Sequence, residues 1–180
     1  RLDRNKNPMI LLKAFERVLN VDNNVHLILV GKGDYDSLFP FIDCRGKVSF
    51  TGFLNSDLLH KIYLCADLGV IPSFYEEFGY VAIEMMMHGL PIICSTSAGL
   101  YEMVENNITG LHIPVIEYTD KTEIDSSLLA EKMLYLLQHP IEAKQMGQNG
   151  RRRYLNNYSS NIFRGNMLKI YESCWHSDDG

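Results

Sequence analysis

The chain alternates between segments whose apolar residues recur at helical spacing and short runs that are apolar throughout. The first helical pattern starts at Asn7 and Pro8, with Asn7 as the expected cap, and ends near Asn20. Further segments follow in strict alternation, with strands predicted at 25–30, 48–50, 67–71, 91–95 and 111–115 and helices at 35–43, 57–65, 79–88 and 100–105. Strands without polar alternation are covered on both faces, so the pattern predicts the α/β class, a doubly wound parallel sheet with helices on both sides.

The last third of the chain is predicted to be helical. The polar, acidic stretch 117–125 is predicted to be a solvated loop, and Ser126 or Ser127 is expected to cap the first of three helices, at 128–138, 141–156 and 162–175. Residues 126–180 are therefore assigned to the C-terminal helices of the same domain. The run Arg151–Arg153 is interpreted as a helix face that is solvated or turned toward another domain. Several aromatic residues are expected to pack in the interior: Tyr154, Tyr158, Phe163, Tyr171 and Trp175.

Composition narrows the possible classes. A chain of 180 residues with 46% hydrophobic content is one globular domain, and a net charge of -5 argues against a nucleic-acid partner. No apolar run reaches the roughly 18 residues that a membrane-spanning helix needs. The four cysteines have no zinc-type spacing and are interpreted as reduced thiols in a cytosolic protein: Cys44, Cys65, Cys94 and Cys174.

Residues 71–99 contain the strongest candidate chemistry. They are predicted to fold as strand, loop, helix and strand, a unit that binds ligands at the carboxyl end of the strand and the start of the helix. Glu76 lies in the loop and Glu84 eight residues later in the helix, so both can face one cleft. Because Glu84 stands among apolar residues, we expect a half-buried carboxylate with hydrogen-bond partners. His60 and His88 are interpreted as structural, the latter against the negative end of its helix.

These residues carry a resemblance to a known family. The stretch 72–95, PSFYEEFGYVAIEMMMHGLPIICS, resembles the signature of retaining, nucleotide-sugar-dependent glycosyltransferases of the GT-B fold, in glycosyltransferase family 4 ("glycosyl transferases group 1"). That signature is close to P-S-x-x-E-G-F-G-x-x-x-x-E-A-M-A-x-G-x-P-V, and its E-x7-E pair falls on Glu76 and Glu84. Further matches are Phe78, Gly79, Gly89 and Pro91; the departures are Glu77, where Gly is usual, and Met85–Met87, where A-M-A is usual.

The resemblance implies a donor site along the carboxyl ends of the strands. It places Arg1 and Lys6 on the donor diphosphate, Glu84 on the ribose hydroxyls, and Glu76 against the donor sugar. It also implies contacts through loops and main-chain amides, at Gly31, Gly33, Phe53, Leu54, Phe78, Gly79, Ser97, Gly99 and Leu100. In the family, Arg1 would follow the first strand of the domain, so that strand and the whole N-terminal acceptor domain are expected to be absent from this chain.

The same resemblance implies a reaction. Arg1 and Lys6 would stabilise charge on the leaving diphosphate without a metal or a cofactor, while Glu76 acts as a nucleophile or only orients the donor. The expected partners are a UDP-, GDP- or ADP-linked sugar, a sugar or lipid-linked acceptor, and the missing N-terminal domain. Family habit implies surface polysaccharide or glycolipid synthesis in the cytoplasm or at the inner face of the cell membrane. This chain alone is expected to be inactive.

Two alternatives stay open at this point. One is a GT-B-fold UDP-sugar epimerase, against which the E-x7-E loop argues. The other is a non-catalytic nucleotide-binding or interaction module of the same fold, for which Glu77 and Met85–Met87 leave room, because a fold does not imply chemistry.

Overall fold

The structure, a computed structural model, describes residues 2–34 and 46–175, with the side chain of Cys174 excepted. The helix predicted at 35–43, Cys44 and Arg1 lie outside the described residues. The helices are α1 (Pro8–Leu19), α2 (Ser56–Cys65), α3 (Tyr80–Met87), α4 (Ala98–Met103), α5 (Ser126–Gln138), α6 (Pro140–Asn157) and α7 (Ser160–Trp175). The strands are β1 (Leu27–Val30), β2 (Val48–Gly52), β3 (Gly69–Ile71), β4 (Ile92–Ser95), β5 (Gly110–Ile113), β6 (Ile116–Glu117) and β7 (Thr122–Glu123).

The five longer strands pair in parallel, as the alternating order predicts. β1 pairs with β2, in register Leu27 to Val48, and β4 lies between β3 and β5, with Ile93 opposite Val70 and Leu111. Within the described residues the parallel strands form two groups, β1–β2 and β3–β4–β5. The predicted α/β class is confirmed, and the sheet is divided between β1 and β3.

Strand β4 shows that helices cover both faces of the sheet. Ile92 and Cys94 belong to one hydrophobic cluster, which includes residues of α2, α3 and α4. Ile93 points the other way, into a cluster that includes residues of α1 and α5. All four residues of β4 are buried, so the strand alternates between two cores and not between a core and water.

The helix starts differ in part from the prediction. Asn55 caps α2 and accepts a hydrogen bond from the Leu58 amide at 3.0 Å. Asn7 stands before α1 in a left-handed conformation (φ 52°), and its side chain makes no capping bond. The cap at α5 is Asp125, which accepts from the Ser127 amide at 2.7 Å, and not Ser126 or Ser127. An acceptor one position earlier reaches the same unpaired amides.

The predictions for residues 117–175 are confirmed only in part. The predicted loop 117–125 contains strands of a short, exposed antiparallel hairpin, β6–β7. Tyr154 and Tyr158 pack against the cluster around α3 as expected. Three aromatic residues of α7 instead lie on the surface: Phe163, Tyr171 and Trp175. Helical spacing identifies a stripe, but the neighbouring elements decide whether it is covered.

Helix α6 packs closely on the end of α3. A Cβ atom at Gly147 would collide with the carbonyl oxygen of Gly89 and lie 3.3 Å from Cδ of Pro91. The two backbones therefore approach to a distance that only glycine allows at Gly147.

The arginines of α6 hold the ends of two neighbouring helices. Arg151 donates to the carbonyl oxygen of Met87 at the end of α3. Arg153 donates to the carbonyl oxygens of Met103 and Glu102, each at 2.9 Å, at the end of α4. The run is therefore more than a solvated face: Arg151 is exposed and Arg153 partly buried, and both donate to the last carbonyls of a helix, which need outside donors.

In the described part of the chain, none of the helices has the length and apolar character that crossing a membrane requires.

Candidate active site

The opening segment of the chain is held between two loops at the carboxyl ends of β1 and β3. The Leu2 amide donates to the carbonyl oxygen of Lys32 at 2.7 Å, and Leu2 pairs in parallel with Gly33. On the other side, the Phe74 amide donates to the carbonyl oxygen of Asn5 at 2.8 Å. A turn of 3-10 helix, Arg4–Lys6, follows with Asp3 as its cap. These bonds fix the backbone that carries Lys6.

Lys6 and Glu76 form an ion pair at this edge of the sheet. The side chain of Lys6 is 33% exposed and that of Glu76 is 17% exposed, so water screens the pair incompletely. An ammonium group has three N–H donors, so a bond from one of them to Glu76 leaves the others available for a second anion. Lys6 therefore balances the charge of the Glu76 carboxylate and can still bind a charged ligand.

The loop that carries Glu76 is tied to the start of α4. The Gly99 amide donates to the carbonyl oxygen of Glu76 at 2.9 Å, and a Cβ at Gly99 would collide with the carbonyl oxygen of Glu77. A second bond joins the same two loops, because Oγ of Ser95 donates to the carbonyl oxygen of Ser73 at 2.5 Å. The loops after β3 and β4 thus support each other, and the Gly99 amide is engaged within the protein.

Glu84 is half-buried and hydrogen-bonded, as its apolar surroundings predict. The Tyr63 hydroxyl in α2 donates to Oε2 of Glu84 at 2.9 Å. Burial raises the pKa of Tyr63 above its ordinary value, and the charge of Glu84 and the hydrogen bond raise it further. The phenol therefore stays protonated and keeps donating.

A cavity of about 760 Å³ lies between β1 and β3, and the predicted polar residues meet there. Lys6, Glu76 and Glu84 line it together with Tyr63 and Ser73. The Ser73 side chain is 1% exposed, and its Oγ has no hydrogen-bond partner among the described residues. Buried hydroxyls are normally paired, so this oxygen is suited to a ligand in the cavity. The sequence pattern identified neither Tyr63 nor Ser73 as a residue of the site.

The glycines after β1 lie next to the opening segment, outside the lining of this cavity. Gly31 (φ 132°) donates its amide to the carbonyl oxygen of Gly52 at 2.9 Å. A Cβ at Gly33 would lie 2.5 Å from the carbonyl oxygen of Leu2, too close for any other residue without movement. Gly33 thus lets the two backbone segments approach each other, and the predicted donor contact of Gly31 and Gly33 stays a prediction.

The remaining predicted residues do not line the cavity. Phe53 is 72% exposed, with the Lys32 ammonium 5.6 Å from its ring centroid, and Leu54 beside it is partly buried. Gly79 precedes α3 in a left-handed conformation (φ 82°), which suits glycine. Phe78 is 48% exposed, and its ring centroid lies 4.6 Å from that of Tyr80. Ser97 and Leu100 are buried at the start of α4.

Among the described residues, no three His, Cys, Asp or Glu side chains are grouped so that they could hold a metal ion.

Comparison with known proteins gives consistent results. The family model described as "Glycosyl transferases group 1" matches residues 1–153. An uncharacterised glycosyltransferase of Methanocaldococcus jannaschii is 38% identical over 117 residues, which cover 63% of this chain and 30% of that protein. Sucrose-phosphate synthase from Thermosynechococcus elongatus superposes with a TM-score of 0.80 at 28% identity, over 98% of this chain and 44% of the other.

A second solved structure shares the fold at lower identity. HepE of Anabaena, in complex with UDP-glucose, has a TM-score of 0.79 at 21% identity, over 96% of this chain and 47% of the other. The chain thus spans 30% of the archaeal relative and under half of both solved structures. With the family model covering most of its length, the chain belongs to the glycosyl transferases group 1 family and has the Rossmann-like fold of the C-terminal half of GT-B enzymes.

Proposed function

We propose that this chain is the donor-binding domain of a retaining glycosyltransferase of family 4, which transfers a sugar from a nucleotide-diphospho-sugar to an acceptor hydroxyl. The proposal rests on the observation that Lys6, Glu76 and Glu84 line the same cavity. Family membership and the UDP-glucose complex of HepE support a sugar nucleotide as donor. The base and the sugar stay open between UDP-, GDP- and ADP-linked donors.

The chemistry of the reaction matches the charges of this site. The bond between the anomeric carbon and the diphosphate oxygen breaks, and the electron pair stays on the leaving oxygen. Lys6, helped by Arg1, stabilises that charge electrostatically. Oxygen of the acceptor hydroxyl forms the new bond, and its proton goes to the leaving phosphate or to a base outside this chain.

The two carboxylates have different roles in this scheme. Glu76 lies beside Lys6 and accepts hydrogen bonds from the hydroxyls of the donor sugar, which holds the anomeric carbon against the cation. Glu84 accepts hydrogen bonds from the ribose hydroxyls of the nucleotide. Ser73 donates into the same cavity from the carboxyl end of β3. Binding of the base uses the surface near Phe53 and Leu54, beyond the glycine turn.

We also propose that a further strand completes the sheet between β1 and β3, contributed by the segment that precedes Arg1. In the described residues, β1 pairs on one side with β2, β3 pairs on one side with β4, and the cavity separates their other edges. Leu2 already pairs in parallel with Gly33 beyond the end of β1. An extended segment upstream of Leu2 would run along β1 in the same direction. It would fill the part of the cavity lined by β1 and β3, and it would leave the polar part lined by Lys6, Glu76 and Glu84 to the donor. An acceptor domain would precede that strand.

The wider setting is part of the proposal. The acceptor is a sugar or a lipid-linked sugar, the product a surface polysaccharide or glycolipid, and the place of reaction the cytoplasm or the inner face of the cell membrane. Without its acceptor domain the chain is expected to bind donor weakly and not to turn over.

The test is transfer by the full-length protein from a panel of UDP-, GDP- and ADP-linked sugars, with the anomeric configuration of the product read by NMR. We expect one donor class to be used with retention, and Glu76→Gln and Glu84→Gln to abolish transfer. Glu131→Gln, an exposed glutamate of α5, is the control. An inverted product would refute the retaining mechanism. Nucleotide binding without transfer from any donor would instead identify a binding module.

A further inference from the structure

A hydrogen-bonded chain connects α2 and α3 behind the Glu84 carboxylate. His60 and Tyr63 lie three residues apart in α2, and His88, the residue that caps the end of α3, follows Glu84 by four residues, so each pair lies on one helix face. Nδ1 of His60 is 2.7 Å from Nε2 of His88, and Nδ1 of His88 is 2.7 Å from the carbonyl oxygen of Glu84. The Tyr63 and His88 ring centroids are 5.0 Å apart.

The donor and acceptor properties of these groups determine the direction of each hydrogen bond in the network. A carbonyl oxygen only accepts, so Nδ1 of His88 carries a proton and donates to Glu84. In a neutral His88 ring Nε2 then accepts, and His60 donates to it. The two histidines therefore hold the backbone of Glu84, while Tyr63 holds its side chain. His60 contacts His88 and Tyr63 contacts Glu84, so two side chains of α2 hold the last turns of α3.

The carboxylate of Glu84 is only partly occupied by these bonds. Tyr63 donates to Oε2 at 2.9 Å, and in the described part of the chain Oε1 makes no hydrogen bond to the protein. A carboxylate oxygen held by a rigid, 8% exposed tyrosine has little rotational freedom. Its second oxygen is thereby oriented before a ligand arrives, which lowers the ordering cost of binding.

We propose that Tyr63 is a positioning residue that orients Glu84 toward the vicinal ribose hydroxyls of the nucleotide. The inference rests on the proposed function, in which Glu84 binds those hydroxyls. Tyr63 acts through Glu84 and contributes to the recognition of ribose, a role that the packing of its ring alone does not give. The histidine pair supports the same carboxylate from its backbone side.

The test compares ribose discrimination in full-length protein. Calorimetry measures the Kd of UDP, GDP and ADP and of their 2′,3′-dideoxy forms, and the readout is the ratio of the two Kd values for the nucleotide that binds. We expect a ratio of about tenfold or more in the unmodified protein, the size expected for a hydrogen bond to a charged acceptor. Tyr63→Phe should lower that ratio by about threefold or more, and Glu84→Gln should lower it further.

Two further variants separate positioning from packing. Tyr154→Phe removes a hydroxyl from a residue packed on the same cluster and should leave the ratio unchanged. Glu84→Asp keeps the charge but withdraws the carboxylate by one methylene from Tyr63, and it should lower the ratio even if Tyr63→Phe folds poorly. Thermal melts of each variant report lost packing separately from lost discrimination.

The outcomes distinguish the two proposals. The role of Tyr63 would be overturned if Glu84→Gln lowered the ratio of Kd values while Tyr63→Phe, or a folded Glu84→Asp, left it as in the unmodified protein. That result would leave the donor-site proposal intact. Equal affinity of the unmodified protein for ribose and dideoxyribose forms would overturn the assignment of Glu84 itself.

Discussion

The close approach of α6 to the end of α3 predicts that the same substitution has opposite effects at two helical glycines. At Gly147, an added Cβ would collide with the backbone carbonyl of Gly89 and lie 3.3 Å from Pro91 Cδ. Gly89 itself is constrained, because it has a left-handed φ of 69° just before β4. At Gly165 in α7, an added Cβ meets nothing within 4 Å.

Two terms decide the sign of the effect at each position. Replacing a helical glycine with alanine favours folding by about 1 kcal/mol. Overpacking a filled contact costs about 1–3 kcal/mol, and a collision between two backbones belongs at the upper end because no side chain can move aside. Gly147→Ala should therefore lose about 1–2 kcal/mol net, and Gly165→Ala should gain about 0.5–1 kcal/mol.

Urea unfolding of the two variants measures this difference directly. With a slope of about 2 kcal/mol per M, the midpoints should differ by about 0.75–1.5 M. Gly150→Ala is a control within α6, because its Cβ would lie 3.4 Å from Cγ of Met86, close to ordinary contact. A rise of the midpoint in Gly147→Ala, equal to that in Gly165→Ala, would refute the packing of α6 on Gly89.

The remaining predictions concern side chains with assigned partners. Lys6→Met in the full-length protein should lower kcat about 100-fold or more, because it removes the cation for the leaving group; an unchanged kcat would contradict that role. Burial raises the pKa of the Cys94 thiol from 9.0 to about 12, so mass spectrometry should find Cys65 but not Cys94 alkylated in folded protein at pH 8. The stabilisation linked to neutral Cys94 is complete below about pH 9 and falls as the pH rises toward 12, and an alkaline series of urea midpoints checks this sign. Arg153→Ala should lower the free energy of unfolding by about 1–2 kcal/mol through the lost bonds to α4, whereas Arg152→Ala should change it by less than about 0.5 kcal/mol.

Much of the fold was predictable because local signals agree with the tertiary structure. Strand β4 is apolar at Ile92 and Ile93, begins after a proline and follows a helix that ends before Gly89. Each of these signals acts over a few residues, and the structure confirms the element that they predict. The parallel arrangement follows from the alternation of helices and strands.

Burial was less predictable because it depends on neighbours that are distant along the chain. Leu58 and Leu64 of α2 fit an apolar stripe, yet they are 47% and 72% exposed. Trp175 in α7 is 82% exposed. The hairpin of β6 and β7 consists of residues with little apolar patterning, so its pairing left no periodic signal.

The candidate site was likewise predictable only where the signal is local in the sequence. Spacing within one segment placed Glu76 and Glu84 at one cleft, and both line the cavity. The hydrogen bond of Tyr63 to Glu84 joins residues 21 positions apart, and nothing in the sequence distinguishes a tyrosine that packs from one that also donates. The bond between Gly99 and the Glu76 carbonyl uses main-chain atoms, which carry no side-chain signature.

The most direct test of the account is calorimetric titration of this domain, extended by the proposed upstream strand, with UDP, GDP and ADP, with and without Mg²⁺. The account predicts that one nucleotide binds independently of the metal, that Glu84→Ala abolishes this binding, and that Glu131→Ala preserves it. Binding that survives Glu84→Ala unchanged, or no binding of any nucleotide by the folded, extended domain, would contradict the assignment of the donor site.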